Sequence, residues 1–251
     1  MKGKNVIITG GANGIGLAMV RKFAKEGSHV FFLDWNEEEG EKVEAELNAE
    51  GLKTKFIRCD ITDSKQVKKA IEKTPKTIDV LINNAGISHI GKVESTSEED
   101  FDRVYQVNVK GAFLVTRPVI LKMKQNGGAI LNMASVAATM GLPDRFAYSM
   151  TKGAILSMTL SIARDYVSEG IRCNCLSPGR VHTPFVDGFL AKNYPRREKE
   201  MFEKLAATQP IGRMAKPEEI ADFGYFICSE KGGFITGADY NIDGGFKGLK
   251  V

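Results

Sequence analysis

Apolar positions along this chain come in two alternating textures. Short, nearly unbroken runs rich in β-branched and aromatic side chains occur at Val6 to Ile8, Val30 to Leu33, Lys55 to Cys59, Asp79 to Ile82, Ala129 to Met133 and Ile171 to Leu176. Runs of this length and composition predict strands buried on both faces. The intervening segments have helical length and one apolar side, as in Ile15 to Glu26, where Leu17, Val20, Phe23 and Ala24 share a face. Strands alternating with helices predict an α/β fold with a doubly wound parallel sheet and helices on both faces, because βαβ crossovers are right-handed. A further strand around Asp239 to Asp243, before Gly244-Gly245, brings the expected sheet to mainly seven strands.

No internal repeat or linker interrupts the pattern, so residues 1–251 read as a single domain. The most irregular stretch runs from Pro178 to about Pro217 and carries prolines 178, 184, 195, 210 and 217 with Arg196 and Arg197. It follows a strand end, where α/β folds bind ligands. Residues 184–216 are therefore expected to form a substrate lid, with an ordinary helical insertion as the alternative.

Charge narrows the partners. The net charge is only +4 and basic residues are interspersed with acids, which leaves no nucleic-acid stripe and no polybasic membrane patch. The N-terminal apolar run is too short for a signal peptide, and no 18 uncharged apolar residues follow one another; a cytoplasmic location is expected. Cys59, Cys173, Cys175 and Cys228 show no metal or disulfide spacing and read as reduced core residues. Three scattered histidines give no metal centre either. The acidic clusters Glu37 to Glu39 and Ser97 to Asp100 fit first helical turns, where the dipole favours negative charge.

Two constellations carry chemistry. Gly10, Gly11, Gly14 and Gly16, with Asn13 and Ile15 among them, join the first strand to the first helix, where backbone must approach a phosphate closely. Asp34 ends the second strand, 18 residues beyond Gly16, and Trp35 follows it. Its carboxylate is placed to accept hydrogen bonds from ribose hydroxyls and to repel a 2′-phosphate, so NAD is expected over NADP. Tyr148 and Lys152, four positions apart, share a helical face 13 residues after Ser135. A nearby ammonium favours the phenolate, which suits a general acid/base.

Taken with these features, the sequence resembles the short-chain dehydrogenase/reductase family from Thr9 to Gly245. Asp60-Ile61 matches the family's adenine-contacting strand end, and Asn83-Asn84-Ala85-Gly86 matches the signature after its fourth strand. Asn108, 27 residues before Ser135, completes a match to the Asn-Ser-Tyr-Lys tetrad. Ser177-Pro178-Gly179-Arg180-Val181-His182-Thr183-Pro184 resembles the nicotinamide-side motif. The resemblance implies a Rossmann fold, a homotetramer, and site roles for all of these. Asp60, Ile61, Asn83, Ala85, Gly86, Pro178, Gly179, Val181, Thr183, Tyr148 and Lys152 would line the cofactor. Asn108, Ser135, Tyr148 and Lys152 would be catalytic, with Asn108 anchoring a relay water. Met133-Ala134-Ser135 departs from the family's serine pair but keeps the catalytic serine.

Arg145, three residues before Tyr148, makes a carboxylated substrate the favoured reading, since guanidinium and carboxylate pair in a planar, bidentate way. With Gly170 to Cys175 and Arg213 it is similar to type-2 3-hydroxybutyrate and 2-keto-3-deoxy-L-fuconate dehydrogenases. Ser135, Arg145, Tyr148, His89 and Arg213 are the expected substrate contacts. His89 and His182 either contact substrate hydroxyls or stand as exposed loop residues. The expected activity is NAD-dependent hydride transfer on a small hydroxy acid or sugar acid. A neutral sugar or polyol dehydrogenase, a 3-oxoacyl-carrier-protein reductase and a dinucleotide-sensing binding protein are the alternatives.

Overall fold

The computed structural model describes residues 1–249. Along the chain run β1 (Asn5–Thr9), α1 (Gly14–Lys25), β2 (His29–Asp34), α2 (Glu37–Ala49), β3 (Thr54–Arg58), α3 (Ser64–Glu72), β4 (Val80–Asn83) and α4 (Glu98–Tyr105). A π-helical turn, Gln106–Gly111, joins α4 to α5 (Ala112–Met123). There follow β5 (Gly128–Met133), α6 (Phe146–Tyr166), β6 (Ile171–Pro178), α7 (Pro184–Asn193), α8 (Glu198–Ala207), α9 (Pro217–Cys228) and β7 (Asp239–Ile242). The strands form one sheet in the order β3-β2-β1-β4-β5-β6-β7, with every pairing parallel. This is the expected single-domain Rossmann fold, and each predicted strand lies where the apolar runs put it.

Strand periodicity splits the core in two. Val6 and Ile8 of β1 join Phe32, Ile82, Leu131, Phe23 of α1 and Ile220 of α9 on one face; Ile7 joins Leu33, Leu81, Ile130, Val119 of α5 and Ile162 of α6 on the other. Because both faces are dry, the strands carry no polar alternation, which is why they read as continuous runs. Each fully buried Ile, Leu or Phe contributes roughly 1.5–3 kcal/mol relative to its exposed state. All four cysteines are buried and free, and burial pushes the thiols of Cys59, Cys175 and Cys228 up to about 12.

One polar ladder crosses this sheet. Asn83 on β4 donates to Thr116 of α5 and to Asn132 of β5, each at 2.8 Å, and Asn132 donates to Thr159 of α6 at 2.9 Å. The region 184–216, read as a lid or as a helical insertion, contains two helices, α7 and α8. Pro184 occupies the first turn of α7 and Pro217 that of α9, positions where a missing N–H costs nothing. Among the described residues no helix is long and apolar enough to cross a membrane.

Candidate active site

The sheet order reverses between β1 and β4, and the glycine turn sits at this switch point. Gly10 has φ +65°, and a Cβ on Gly16 would lie 1.8 Å from the Gly10 carbonyl oxygen, so both positions require glycine. The turn is clamped from two sides. From β2, Asp34 accepts the Ala12 N–H at 3.1 Å and the Asn36 N–H at 3.1 Å. From beyond β4, Asn84 Nδ2 donates to the carbonyls of Thr9 and Gly10, while Thr9 Oγ1 accepts the Asn84 and Ala85 amides. Asn84 and Thr9 thus shape the turn; the Asn83-Asn84 doublet was the available signal for this brace.

α1 differs from its neighbours at its N-terminus. Asn36, Asp63 and Ser97 cap α2, α3 and α4 with their side chains, whereas Asn13 makes no cap bond and no acid occupies the first turn of α1. The first N–H groups of α1 are left for an anion. Thr183 approaches from the loop beyond β6, its Cγ2 within 3.5 Å of where a Gly14 Cβ would stand. In that loop Ala215 N donates to the Arg180 carbonyl and His182 N to the Ala215 carbonyl. A parallel bridge of this kind turns the N–H and C=O of Val181 to the opposite side. Pro178 ends β6, and Gly179 N bonds to the Ile242 carbonyl.

The adenine-side positions fall around these strand ends. Trp35 is 75% exposed just past β2, presenting an open ring face. Asp60 accepts both the amide and the hydroxyl of Thr62 through Oδ1, and buried Ile61 packs beside Gly111 of the π-helical turn. Ala85 and Gly86 edge the cleft, with Gly86 over Asn108 and Lys152. Asn83 belongs instead to the ladder inside the sheet. Both its amide hydrogens are used there, and its Oδ1 is buried without a partner.

The four tetrad residues converge at the carboxyl edge of β4 and β5. Ser135, just past β5, accepts the Ala137 amide and lies near enough to the Tyr148 phenol to oppose the rise of its pKa. Lys152 is buried, with Nζ bonded to the Met133 carbonyl at 2.7 Å and 5.7 Å from the Tyr148 ring centroid. Asn108 projects from the π-helical turn. Its amide exchanges hydrogen bonds with the backbone of Ile87 and donates to Thr151 Oγ1, tying the loop after β4 to the first turns of α6.

From spacing alone Lys152 is expected to pull the phenol's pKa down. Burial raises Tyr148 above its ordinary value, and what opposes burial is the Ser135 hydroxyl, then the charge of Arg145. Lys152 has itself lost much of its preference for the charged form, its pKa pushed down by burial to about 8.

Residues 10–247 match the family model adh_short_C2, described as enoyl-(acyl carrier protein) reductase. A Thermotoga maritima protein described as an uncharacterized oxidoreductase is 41% identical over 248 residues, 97% of each chain. Dehydrogenase/reductase SDR family member 6 of Danio rerio is 37% identical over 250 residues, 98% of each chain. The chain is a short-chain dehydrogenase/reductase. The crystal structure of L-sorbose reductase from Gluconobacter frateurii, complexed with NADPH and L-sorbose, matches this oxidoreductase with a TM-score of 0.94 at 29% identity, over 99% of this chain and 98% of that one.

On the substrate side of this short-chain dehydrogenase/reductase, the expected contacts divide. Arg145 immediately precedes α6, its backbone pinned by a parallel bridge to Gly91, and its side chain reaches only the neighbouring Asp144 carbonyl, at 3.4 Å. Arg213 is committed elsewhere. Its guanidinium forks onto Glu219 with two bonds of 2.7 Å, and Glu219 also accepts the Lys216 amide that opens α9. The cavity beside Arg213, about 530 Å³, is lined by His182, Phe202, Gln209 and Lys216 and by no tetrad residue. Arg213 thus braces the start of α9 through Glu219.

His89 is neither an exposed loop residue nor free. It is largely shielded, with Nε2 3.4 Å from Asp100 of α4 and a buried Nδ1 that has no partner among the described residues. His182 is exposed and bonded to Asp187 at 2.8 Å, with Phe202 edge-on at 4.8 Å. Arg172, within the Gly170 to Cys175 motif, donates to the carbonyls of Cys228, Ser229 and Ile235 and so holds the end of α9. Arg180 lies in the loop after β6, where its Nε donates to Thr208 Oγ1 at the end of α8. Among the described residues no group of three His, Cys, Asp or Glu side chains could hold a metal ion.

Proposed function

We propose that this enzyme interconverts a secondary alcohol and a ketone, prefers NAD, and acts on a small hydroxy acid or sugar acid. The observation that carries the reading is the meeting of Ser135, Tyr148 and Lys152 beside the open N-terminus of α1. The residues present fit a dinucleotide: a turn with no room for Cβ atoms, free helix amides for a pyrophosphate, and an acidic strand end. Asp34 spends one acceptor position of each oxygen on the turn, and a carboxylate has about four. The remaining ones suit ribose hydroxyls. Arg58, opposite Asp34 on β3, is exposed and paired with Glu37 at 2.9 Å.

A bound nicotinamide supplies the hydride exchange. Tyr148 exchanges a proton with the substrate oxygen, which Ser135 holds beside the phenol. Lys152 reaches the nicotinamide ribose, and Val181 and Thr183 take the carboxamide. Asn108 keeps the Ile87 loop against α6, with one Oδ1 lone pair left for a relay water. Arg145 seats the acid group, as in the 3-hydroxybutyrate and ketodeoxyfuconate dehydrogenases the sequence resembles. The 184–216 segment covers the substrate as a lid.

A homotetramer in the cytoplasm completes the reading. Tyr105, Phe113 and Leu121 around α4 and α5, and Leu160 on α6, expose apolar surface that such an assembly would bury. A neutral sugar is the second reading, favoured by the likeness to L-sorbose reductase. The deciding experiment follows NADH formation on hydroxy acids, sugar acids, neutral sugars and polyols, for the native enzyme and Arg145→Ala. Acid-selective turnover lost in the variant supports the proposal. Turnover confined to neutral substrates and indifferent to the variant replaces it with the second reading.

A further inference from the structure

Four arginines are half-buried among the described residues: Arg21, Arg145, Arg172 and Arg180. Arg21 is paired with Glu46 and Glu50, and Arg172 donates to three backbone carbonyls. Among the described residues Arg145 and Arg180 have no carboxylate partner. A half-buried cation left in this state is costly, because water screens it poorly and nothing neutralises it.

Arg180 is nevertheless held with care. Its amide donates to Gln209 Oε1 at 3.2 Å, its carbonyl accepts from Ala215, and its Nε donates to Thr208 Oγ1 at 3.0 Å. The end of α8 thus fixes the root of the guanidinium, while its two terminal nitrogens bond to no described protein group. They do not point into an empty field. Burial first, and then the charge of Arg145, weaken the protonated state of Arg180, and the charge of Arg145 is also felt at the Tyr148 phenol. Geometry agrees: Arg180 follows β6, whose Leu176 pairs with Met133 of β5, and Arg145 opens α6 three residues before Tyr148, so both guanidiniums stand at the carboxyl edge of the sheet that carries Ser135 and the phenol.

We infer that Arg180 is the second arm of an anion clamp whose first arm is Arg145, and that the substrate carboxylate sits between the two guanidiniums. The inference rests on the acid-substrate reading and replaces Arg213 with Arg180. A carboxylate placed there offers a planar acceptor edge to each arginine and removes their mutual repulsion. The lone bond from Thr208 then serves to aim the guanidinium.

The test compares kcat/KM for the most active hydroxy acid and for its uncharged primary amide in the native enzyme, Arg145→Gln, Arg180→Gln, Arg180→Lys and Arg213→Gln. Malonate is titrated calorimetrically into each NAD-saturated protein. Arg145→Gln and Arg180→Gln are each expected to lower the acid-to-amide ratio by about tenfold or more, as the loss of one charge-assisted contact requires. Both are expected to weaken malonate binding, while Arg213→Gln keeps the native ratio. If Arg180→Gln does not fold, Arg180→Lys carries the test, since it keeps the charge and loses the fork, and a native ratio there overturns the inference. An acid preference destroyed by Arg145→Gln but kept by Arg180→Gln removes Arg180 while sparing the acid reading. Equal losses for acid and amide in Arg180→Gln make it a structural residue. A native enzyme without acid preference or malonate binding ends the acid reading, and the clamp with it.

Discussion

Where the glycine turn meets α1, backbone amides are left uncapped by any side chain, whereas the proposed substrate end relies on the guanidiniums of Arg145 and Arg180. The first arrangement is local. A few glycines, a strand before and a helix after are enough to build it, and its electrostatics come from peptide dipoles that every sequence possesses. The second is assembled from the loop before α6, the loop after β6 and the end of α8, three segments far apart in the chain. Its chemistry lives in side chains and can change without touching the fold. Function of this kind lives in the site and not in the fold that carries it.

The strongest way to break that division is to remove the group on which both ends converge. Tyr148→Phe is expected to lower kcat about a thousandfold, within the range that positioned acid/base groups supply, while the dissociation constant for NAD stays within about twofold. A kcat within tenfold of native would move the proton transfer to another residue. Lys152 gives the next largest effect, on stability. Its folded pKa of about 8 lies below the ordinary 10.5, so the buried charge destabilises the fold wherever it is protonated. Below pH 8 folded and unfolded chains are both protonated and the whole penalty, at most roughly 3 kcal/mol, is present. Between pH 8 and 10.5 the unfolded chain binds more protons, and the native protein gains stability. Lys152→Met is expected to be more stable than native by about 2 kcal/mol at pH 7 once the lost bond to Met133 is deducted. That advantage shrinks from pH 8 upward in urea unfolding; a pH-independent difference contradicts the desolvated amine.

Legibility in the sequence follows the same division. Strands at Val6 to Ile8 or Ala129 to Met133 announce themselves because burial on both faces leaves an unbroken apolar run. The glycine turn and the tetrad spacing are similarly visible, since each lies within one or two elements. Three features stayed hidden. The bounds of α7 and α8, within a segment that allowed a helical insertion, were masked by prolines that occupy first turns and loops. The π-helical turn that carries Asn108 has no compositional mark. Arg180 and Arg213 both follow a glycine, and only tertiary structure shows that Glu219 claims one while the other is left unpaired. Asn83 shows the converse, a family signature residue whose observed bonds all serve the sheet.

Asp34 sharpens the comparison at the backbone end. Asp34→Ser keeps a short acceptor for the glycine turn but removes the charge, so the NAD dissociation constant is expected to rise about tenfold while that for NADP falls. Titrations of both cofactors check this, and an unchanged ratio would place cofactor choice outside Asp34. The smallest effect concerns the caps. Ser97 Oγ accepts the Asp100 amide at 3.1 Å and closes the N-terminus of α4, so Ser97→Ala is expected to cost about 1 kcal/mol of stability. Asn13 closes nothing, and Asn13→Ala is expected to stay within about 0.5 kcal/mol of native in the absence of cofactor. If the two variants lost stability equally, Asn13 would be a cap after all, and α1 would not hold its amides open for an anion.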